Sequence, residues 1–483
     1  MGARVPHAGT DRGGWPAVLL YERRRPDAVR KRPDAWRFAV ATVCFGAFMG
    51  QLDASIVTLT YGSLRTGFGA PLAAVEWVSL AYLVTLVALL VPVGRLADAR
   101  GRKLFYLYGF VVFTAASAAC GLAPSLGALI GFRVVQAAGA AMLQANSVAL
   151  VTTSAPREKM RAALGVQAAA QALGLALGPT VGAALVATLG WRWVFGINVP
   201  IGVVALVAGH FLLPRTRERS PVPAFDWWGL LWLSTATTAL LLGVSAASGL
   251  PLPLWGVVLL FAAAVVAAVA FVVRQARAAE PLLDLALLRA RAVSTGLVGA
   301  LSGYLVLFGP LVLVPTVLGR AGVSELPTGL AVSALPAGFA LAAAGADRVV
   351  PPSATDRHRC LAGAWVMVAA LAGMLVVPVG VGWSAALLGL LGLGLGLFTP
   401  ANNALVMRAV PTAAAGTGGG LVNMTRGLGT ALGVALVTLA LHLSPAGGGA
   451  PAARGGAVLL LAAAGVALLA AWLGPRRPQR ATG

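Results

Sequence analysis

The sequence predicts an all-α membrane protein of fourteen transmembrane helices, arranged as two six-helix bundles plus two additional central helices. Three observations carry that expectation. Of 483 residues 59% are hydrophobic and only 11% are charged, against roughly 25% charged in soluble domains, so a bilayer must supply part of the solvent. The apolar residues fall into fourteen runs, each near the ~20 residues that cross a hydrocarbon core. The basic residues are sorted to one side of those runs, the bias that sets orientation in a membrane.

In chain order the runs cover residues 37–62, 74–94, 104–123, 126–151, 162–187, 193–213, 227–247, 254–273, 292–314, 328–346, 361–381, 384–407, 416–442 and 455–474. They group into a basic tail (1–35), an N-terminal six-helix bundle (36–213), linkers with two extra helices (214–291), a C-terminal six-helix bundle (292–475) and a short tail (476–483). Sixty glycines would argue against helices in water, where Gly costs about 1 kcal/mol against Ala. In a bilayer the same small residues let helices approach closely.

With the N-terminus inside, only Arg65, Arg192, Arg320 and Arg454 lie in external loops. Arg133 and Arg426 fall within runs, and the other thirty of the 36 basic residues are cytoplasmic. Both termini are then expected in the cytoplasm, which requires an even number of crossings. That sorting also accounts for the net charge of +21, so no nucleic-acid partner is expected. The 1–35 segment has no apolar core long enough for a cleavable signal, and the first helix is expected to act as its own insertion signal. Cys44, Cys120 and Cys360 are too scattered for a disulfide framework or a metal site. The preference for Arg over Lys, with abundant Ala and Gly, hints at a GC-rich bacterial genome.

The turn after the second run reads Gly94-Arg95-Leu96-Ala97-Asp98-Ala99-Arg100-Gly101-Arg102-Lys103. Gly94 is expected to end the helix, and Asp98 to meet a helix N-terminus or an arginine, holding two helices in one conformation. In the fifth run Gly174, Gly178 and Gly182 recur every four residues and form one smooth face, with Pro179 bending the helix. A kinked contact of that kind between bundles would seal one side of a cavity.

Charge inside a bilayer costs at least ~2.5–3.5 kcal/mol, so intramembrane ionisable residues are candidate functional sites. Asp53 is the only acid well inside a run. It can take up a proton, attract a cation, or form a structural pair with an arginine such as Arg133. Arg133 either faces a central cavity or snorkels to the external interface. Arg426, close to Asn423, either pairs across the bundles or balances Asp53. Glu76, at the external mouth of the second run, is either a mouth residue or a second candidate in proton coupling, and His210 is read as structural. Trp36, Trp191, Trp193, Trp227, Trp228 and Trp383 fit an interfacial aromatic belt.

The Gly94–Lys103 turn resembles the signature loop of the major facilitator superfamily, which implies a latch between the bundles at Gly94, Asp98, Gly101, Arg102 and Lys103; Ala99 stands where arginine is usual, so one latch contact is either missing or supplied by Arg100. Leu52-Asp53-Ala54-Ser55-Ile56-Val57 is similar to the first-helix motif of the fourteen-span drug:proton antiporters. Arg133-Val134-Val135-Gln136-Ala137-Ala138-Gly139 resembles the superfamily's fourth-helix motif, and Gly174–Gly182 its antiporter motif. Trp191–Phe195 with Asn198, Pro200 and Gly202, and Glu280–Leu285, complete the likeness over residues 36–474. The resemblance implies the major facilitator fold, alternating access, and an Arg133 that assists proton transfer.

The expected activity is therefore proton-coupled efflux of small amphipathic or cationic compounds through a multi-pass inner-membrane protein, acting as a monomer. The proton gradient is the drive and no cofactor is expected, because no GxxxxGK[ST] loop for ATP exists. The alternative is a dedicated exporter of one metabolite, lipid or self-made antibiotic. A non-transporting sensor lacks an output domain here, and a membrane enzyme lacks clustered intramembrane His or Asp.

Overall fold

The computed structural model describes Glu22 and residues 25–70, 72–216, 226–247, 252–278, 281–283, 285–323, 325–351, 353–377, 380–442 and 449–475. Among these residues there is no strand, and fourteen helices are long and apolar enough to cross a membrane. They are α1 (Ala35–Ile56), α2 (Leu72–Arg100), α3 (Arg102–Gly121), α4 (Leu126–Ser154), α5 (Met160–Thr188), α6 (Arg192–Leu212, a short first segment Arg192–Gly196 running into Asn198–Leu212), α7 (Trp227–Ala247), α8 (Leu254–Arg277), α9 (Arg291–Arg320), α10 (Glu325–Val349), α11 (Asp356–Val376), α12 (Val381–Ala409), α13 (Ala415–His442) and α14 (Gly449–Leu473).

Several helices outrun the apolar stretches that announced them. Apolarity ends where the hydrocarbon core ends, whereas a helix continues until its backbone is capped. Thus α2, expected at 74–94, runs to Arg100, and Gly94 lies inside it rather than at its end. The turn into α3 is made by Gly101 at φ +125°, a conformation that side chains rarely adopt. Ser125 caps α4 by accepting the Ala128 N–H, and Thr355 with His358 forms a capping box on α11. The first run splits: α1 stops at Ile56, a 3₁₀ turn (Val57–Thr60) follows, then a short helix (Tyr61–Phe68).

Helices α1–α6 pack among themselves, as do α9–α14. The bundles meet through α2 against α13 and α5 against α10. In each half the second helix meets the fifth helix of the other half, the relation a pseudo-two-fold axis produces. Helices α7 and α8 form a pair whose α7 member lies against α2 and α13. Asp226 ties that pair together: it caps α7 through the Gly229 N–H and accepts from Arg274 and Gln275 of α8.

Trp193, Trp227, Trp228 and Trp383 stay exposed on the perimeter. Trp191 does not join that belt; it is buried against the rings of Phe68 and Phe195, closing the end of the N-terminal bundle. The ends of α2 and α4 and the starts of α3 and α5 share one end of the molecule, called here the basic end.

Candidate functional site

The polar centre of the N-terminal bundle is built on Asp53, three residues before α1 ends. Its carboxylate is fully buried and accepts hydrogen bonds from Arg133 Nη1 at 2.6 Å, Gln136 Nε2 at 3.0 Å and Asn198 Nδ2 at 3.0 Å. Arg133 and Gln136 reach one carboxylate because they lie three residues apart on the same face of α4. Arg133 also donates Nε to the Val78 carbonyl at 3.0 Å, and Gln136 donates onward to Ser117 Oγ at 2.8 Å. Of the readings open for Asp53, the structure realises the arginine pair. Arg133 neither snorkels nor lines the cavity; its guanidinium lies 4.0 Å from the centre of the Tyr82 ring.

Tyr82 is the wall between this cluster and a cavity of about 390 Å³ at the bundle interface. Such a volume accepts a small organic molecule. Its lining is part aliphatic, with Leu80, Leu83, Val87, Leu241 and Val434, and part polar, with Gln51, Gln144, Gln171, Tyr304, Asn423 and Arg426. Helix α7 contributes Leu241 and Val244, so an extra helix lines the cavity. Arg426 does not balance Asp53. Its Nη1 donates to Asn423 Oδ1 at 3.0 Å, its guanidinium stands 5.1 Å from the centre of the Tyr304 ring, and its buried Nε has no partner. Asn423 spans the bundles by donating to the Gln144 carbonyl at 2.7 Å.

At the basic end the bundles are locked together. Asp98 accepts from Arg102 Nε, from the Gly416 and Thr417 N–H groups at the start of α13, each at 2.7 Å, and from Thr417 Oγ1 at 2.9 Å. The partial positive charge of that helix start suits a carboxylate. Arg102 continues across to the carbonyls of Thr412 and Ala413. Arg102, expected in the latch, is the arginine beside Asp98, while Arg100 is exposed. Gly94 lets the helices touch here, since a Cβ on it would overlap the Gly416 carbonyl. Lys103 serves a different purpose: its ammonium holds the carbonyls of His210 and Leu213 at the end of α6.

A second lock sits at the related position. Asp347, at the end of α10, accepts from Arg161 of α5 at 2.9 Å and from Arg359 at 2.6 Å; Arg161 also meets Asp356 at 2.9 Å. Asp347 stands to α10 as Asp98 stands to α2. The residues here, Gly345-Ala346-Asp347-Arg348, are a faint counterpart of the Gly94–Lys103 turn, too weak to reveal the partner arginines.

The glycine face of α5 packs within its own bundle, not between bundles. A Cβ at Gly174 would collide with the Phe48 carbonyl, and one at Gly178 with Ser55 Oγ, both on α1 beside Asp53. Periodicity shows that such a face packs closely but not against which helix. Gly182 is buried; the side chains of Pro179 and Glu76 lie outside the described residues, as do Glu280 and Asp284. Reading the sequence missed Tyr82, Gln144, Gln171 and Tyr304, whose only mark is polarity within an apolar run. It also missed Arg161 and Arg359, which look like ordinary loop-side basic residues. Among the described residues no group of three His, Cys, Asp or Glu could hold a metal ion.

The family model described as Major Facilitator Superfamily matches residues 43–434. The tetracenomycin C resistance and export protein of Streptomyces glaucescens is 32% identical over 417 residues, covering 85% of this chain and 76% of that protein. The riboflavin transporter of Clostridioides difficile is 28% identical over 405 residues, covering 81% and 85% respectively. The crystal structure of a human organic anion transporter superposes with a TM-score of 0.65 at 17% identity, covering 92% of this chain and all of that one. At that identity the likeness concerns the fold alone.

Proposed function

This chain belongs to the major facilitator superfamily, and on that premise we propose that it exports a small amphipathic compound in exchange for protons by alternating access. It is a membrane transporter, not an enzyme. The observation that carries the coupling is Tyr82, whose one ring both lines the cavity and stacks on the arginine that neutralises Asp53. A ligand pressing on Tyr82 displaces Arg133, and a carboxylate that loses its arginine while buried takes a proton. The reverse holds as well, because coupling between two sites is reciprocal.

By the positive-inside rule the basic end faces the cytoplasm, with both termini there and the inner membrane as the location. The two locks at Asp98 and Asp347 then close the cytoplasmic side, leaving protons to arrive from outside. The export reading draws support from the export protein among the relatives. A dedicated exporter of one metabolite is the second reading, favoured by the riboflavin transporter among them.

The test is uptake into everted membrane vesicles under an acid-inside gradient, using cationic, neutral and anionic amphipathic dyes. Gradient-driven uptake that is lost in Asp53→Asn and Tyr82→Ala, but kept in Tyr82→Phe, supports the reading. Uptake unchanged in Asp53→Asn overturns the assignment of the proton site. Uptake of no dye by the wild type, with saturable transport of one metabolite, decides for the dedicated exporter.

A further inference from the structure

The charge balance of the cavity defines the chemistry of its ligand. Arg426 is its one charged lining residue among those described, and its side chain is nineteen-twentieths buried. No Asp or Glu lines the cavity alongside it among the described residues. The nearest buried carboxylate by function, Asp53, lies behind Tyr82 and is already neutralised by Arg133 with two amide donors. Arg426 itself has a single hydrogen bond, to the neutral Asn423, and an Nε with no partner. A guanidinium offers five donors in a planar fork that matches a carboxylate. Here it is held in place by the Tyr304 face and Asn423, with donors to spare and no anion to receive them.

We propose that the cavity binds a small amphipathic organic anion, whose carboxylate or equally acidic group docks on Arg426. The apolar body of the ligand lies along Leu80, Leu83, Val87, Leu241 and Val434, and the surrounding glutamines bond its neutral polar groups. A cation is repelled by the same field that attracts the anion, and among the described lining residues no carboxylate offsets that repulsion. The inference rests on the central cavity being the transport site. It does not depend on proton coupling.

The test is equilibrium binding to the purified full chain in nanodiscs, without any gradient, using three pyrene probes that differ only in their head: pyrenebutyrate, pyrenebutanol and pyrenebutyl-trimethylammonium. A charge-assisted contact of this kind is expected to favour the butyrate by about 10-fold or more over the alcohol. Arg426→Gln should erase that preference, the butyrate-to-alcohol ratio falling to about one, and Arg426→Lys should restore part of it. Equal binding of all three probes by the wild type, or preference for the ammonium, overturns the proposal, and this arm needs no variant to fold. Repeating the titration in phosphatidylglycerol and in phosphatidylcholine discs separates two sources of the anion. A butyrate preference seen in both lipids supports a free organic anion. A preference abolished by phosphatidylglycerol shows that a lipid headgroup holds Arg426 and overturns it. Because no gradient is imposed, loss of proton-driven uptake with intact butyrate selectivity would sink the coupling reading and not this one.

Discussion

Replacing Asp98 by asparagine tests what holds the basic end shut. The carboxylate uses both oxygens: Oδ1 accepts from Arg102 and Gly416, and Oδ2 accepts from the Thr417 N–H and hydroxyl. An asparagine of the same shape has one acceptor only. Whichever way its amide turns, an NH₂ group meets a backbone N–H of α13, and Arg102 keeps a buried charge without its partner. Removing one member of a buried pair costs about 3–5 kcal/mol. At about 1.4 kcal/mol per factor of ten, the lower figure shifts the equilibrium between closed and open basic ends by roughly 100-fold, enough to bring a 99:1 preference near parity. Spin labels at Arg100→Cys and Pro411→Cys, both exposed positions on the two sides of the lock, would report it by pulsed dipolar spectroscopy with Cys44, Cys120 and Cys360 replaced. The expected result is a second, longer distance of comparable weight in Asp98→Asn. A single unchanged distance would refute the reasoning and assign the closure to apolar packing and the Asp347 lock.

Two further expectations follow from packing and from titration. Gly178→Ala should lower thermal stability by an amount typical of overpacking, about 1–3 kcal/mol, because its Cβ meets Ser55 on α1, whereas Gly127→Ala, with open space around it, should be neutral; equal melting temperatures for the two would contradict the α1–α5 packing. Burial works against the Asp226 carboxylate, yet the Gly229 N–H, Gln275 and Arg274 hold its pKa below the ordinary carboxylate range. A folded pKa below the unfolded one stabilises the α7–α8 connection above about pH 4 and loses that contribution as pH falls through the folded pKa. Protection of the first-turn amides of α7, taken relative to their intrinsic exchange rate at each pH, should therefore fall in acid, and Asp226→Asn should flatten that pH dependence.

The sequence by itself determined the number of crossings, the two bundles with their added helix pair, and the family. Those follow from one-dimensional quantities: the length of apolar runs set against bilayer thickness, loop charge, and short motifs. It also singled out Asp53, Arg133 and Arg426, because an ionisable residue in an apolar run is costly wherever the helix goes, and Asp98, as the one acid in a basic turn. Only the tertiary structure decided their partners. Asp53 meets Arg133, Gln136 and Asn198 from helices 80 to 145 residues away in the chain, and Arg426 meets none of them. The glycine face of α5 chose α1 over the opposite bundle, and of the basic residues in the turn Asp98 took Arg102 as its arginine. Tyr82 and the Arg161–Asp347 lock became visible only when helices were brought together. Helix rotation and neighbour choice come from the fit of side chains across interfaces, and periodicity along one helix carries no record of what stands on the other side.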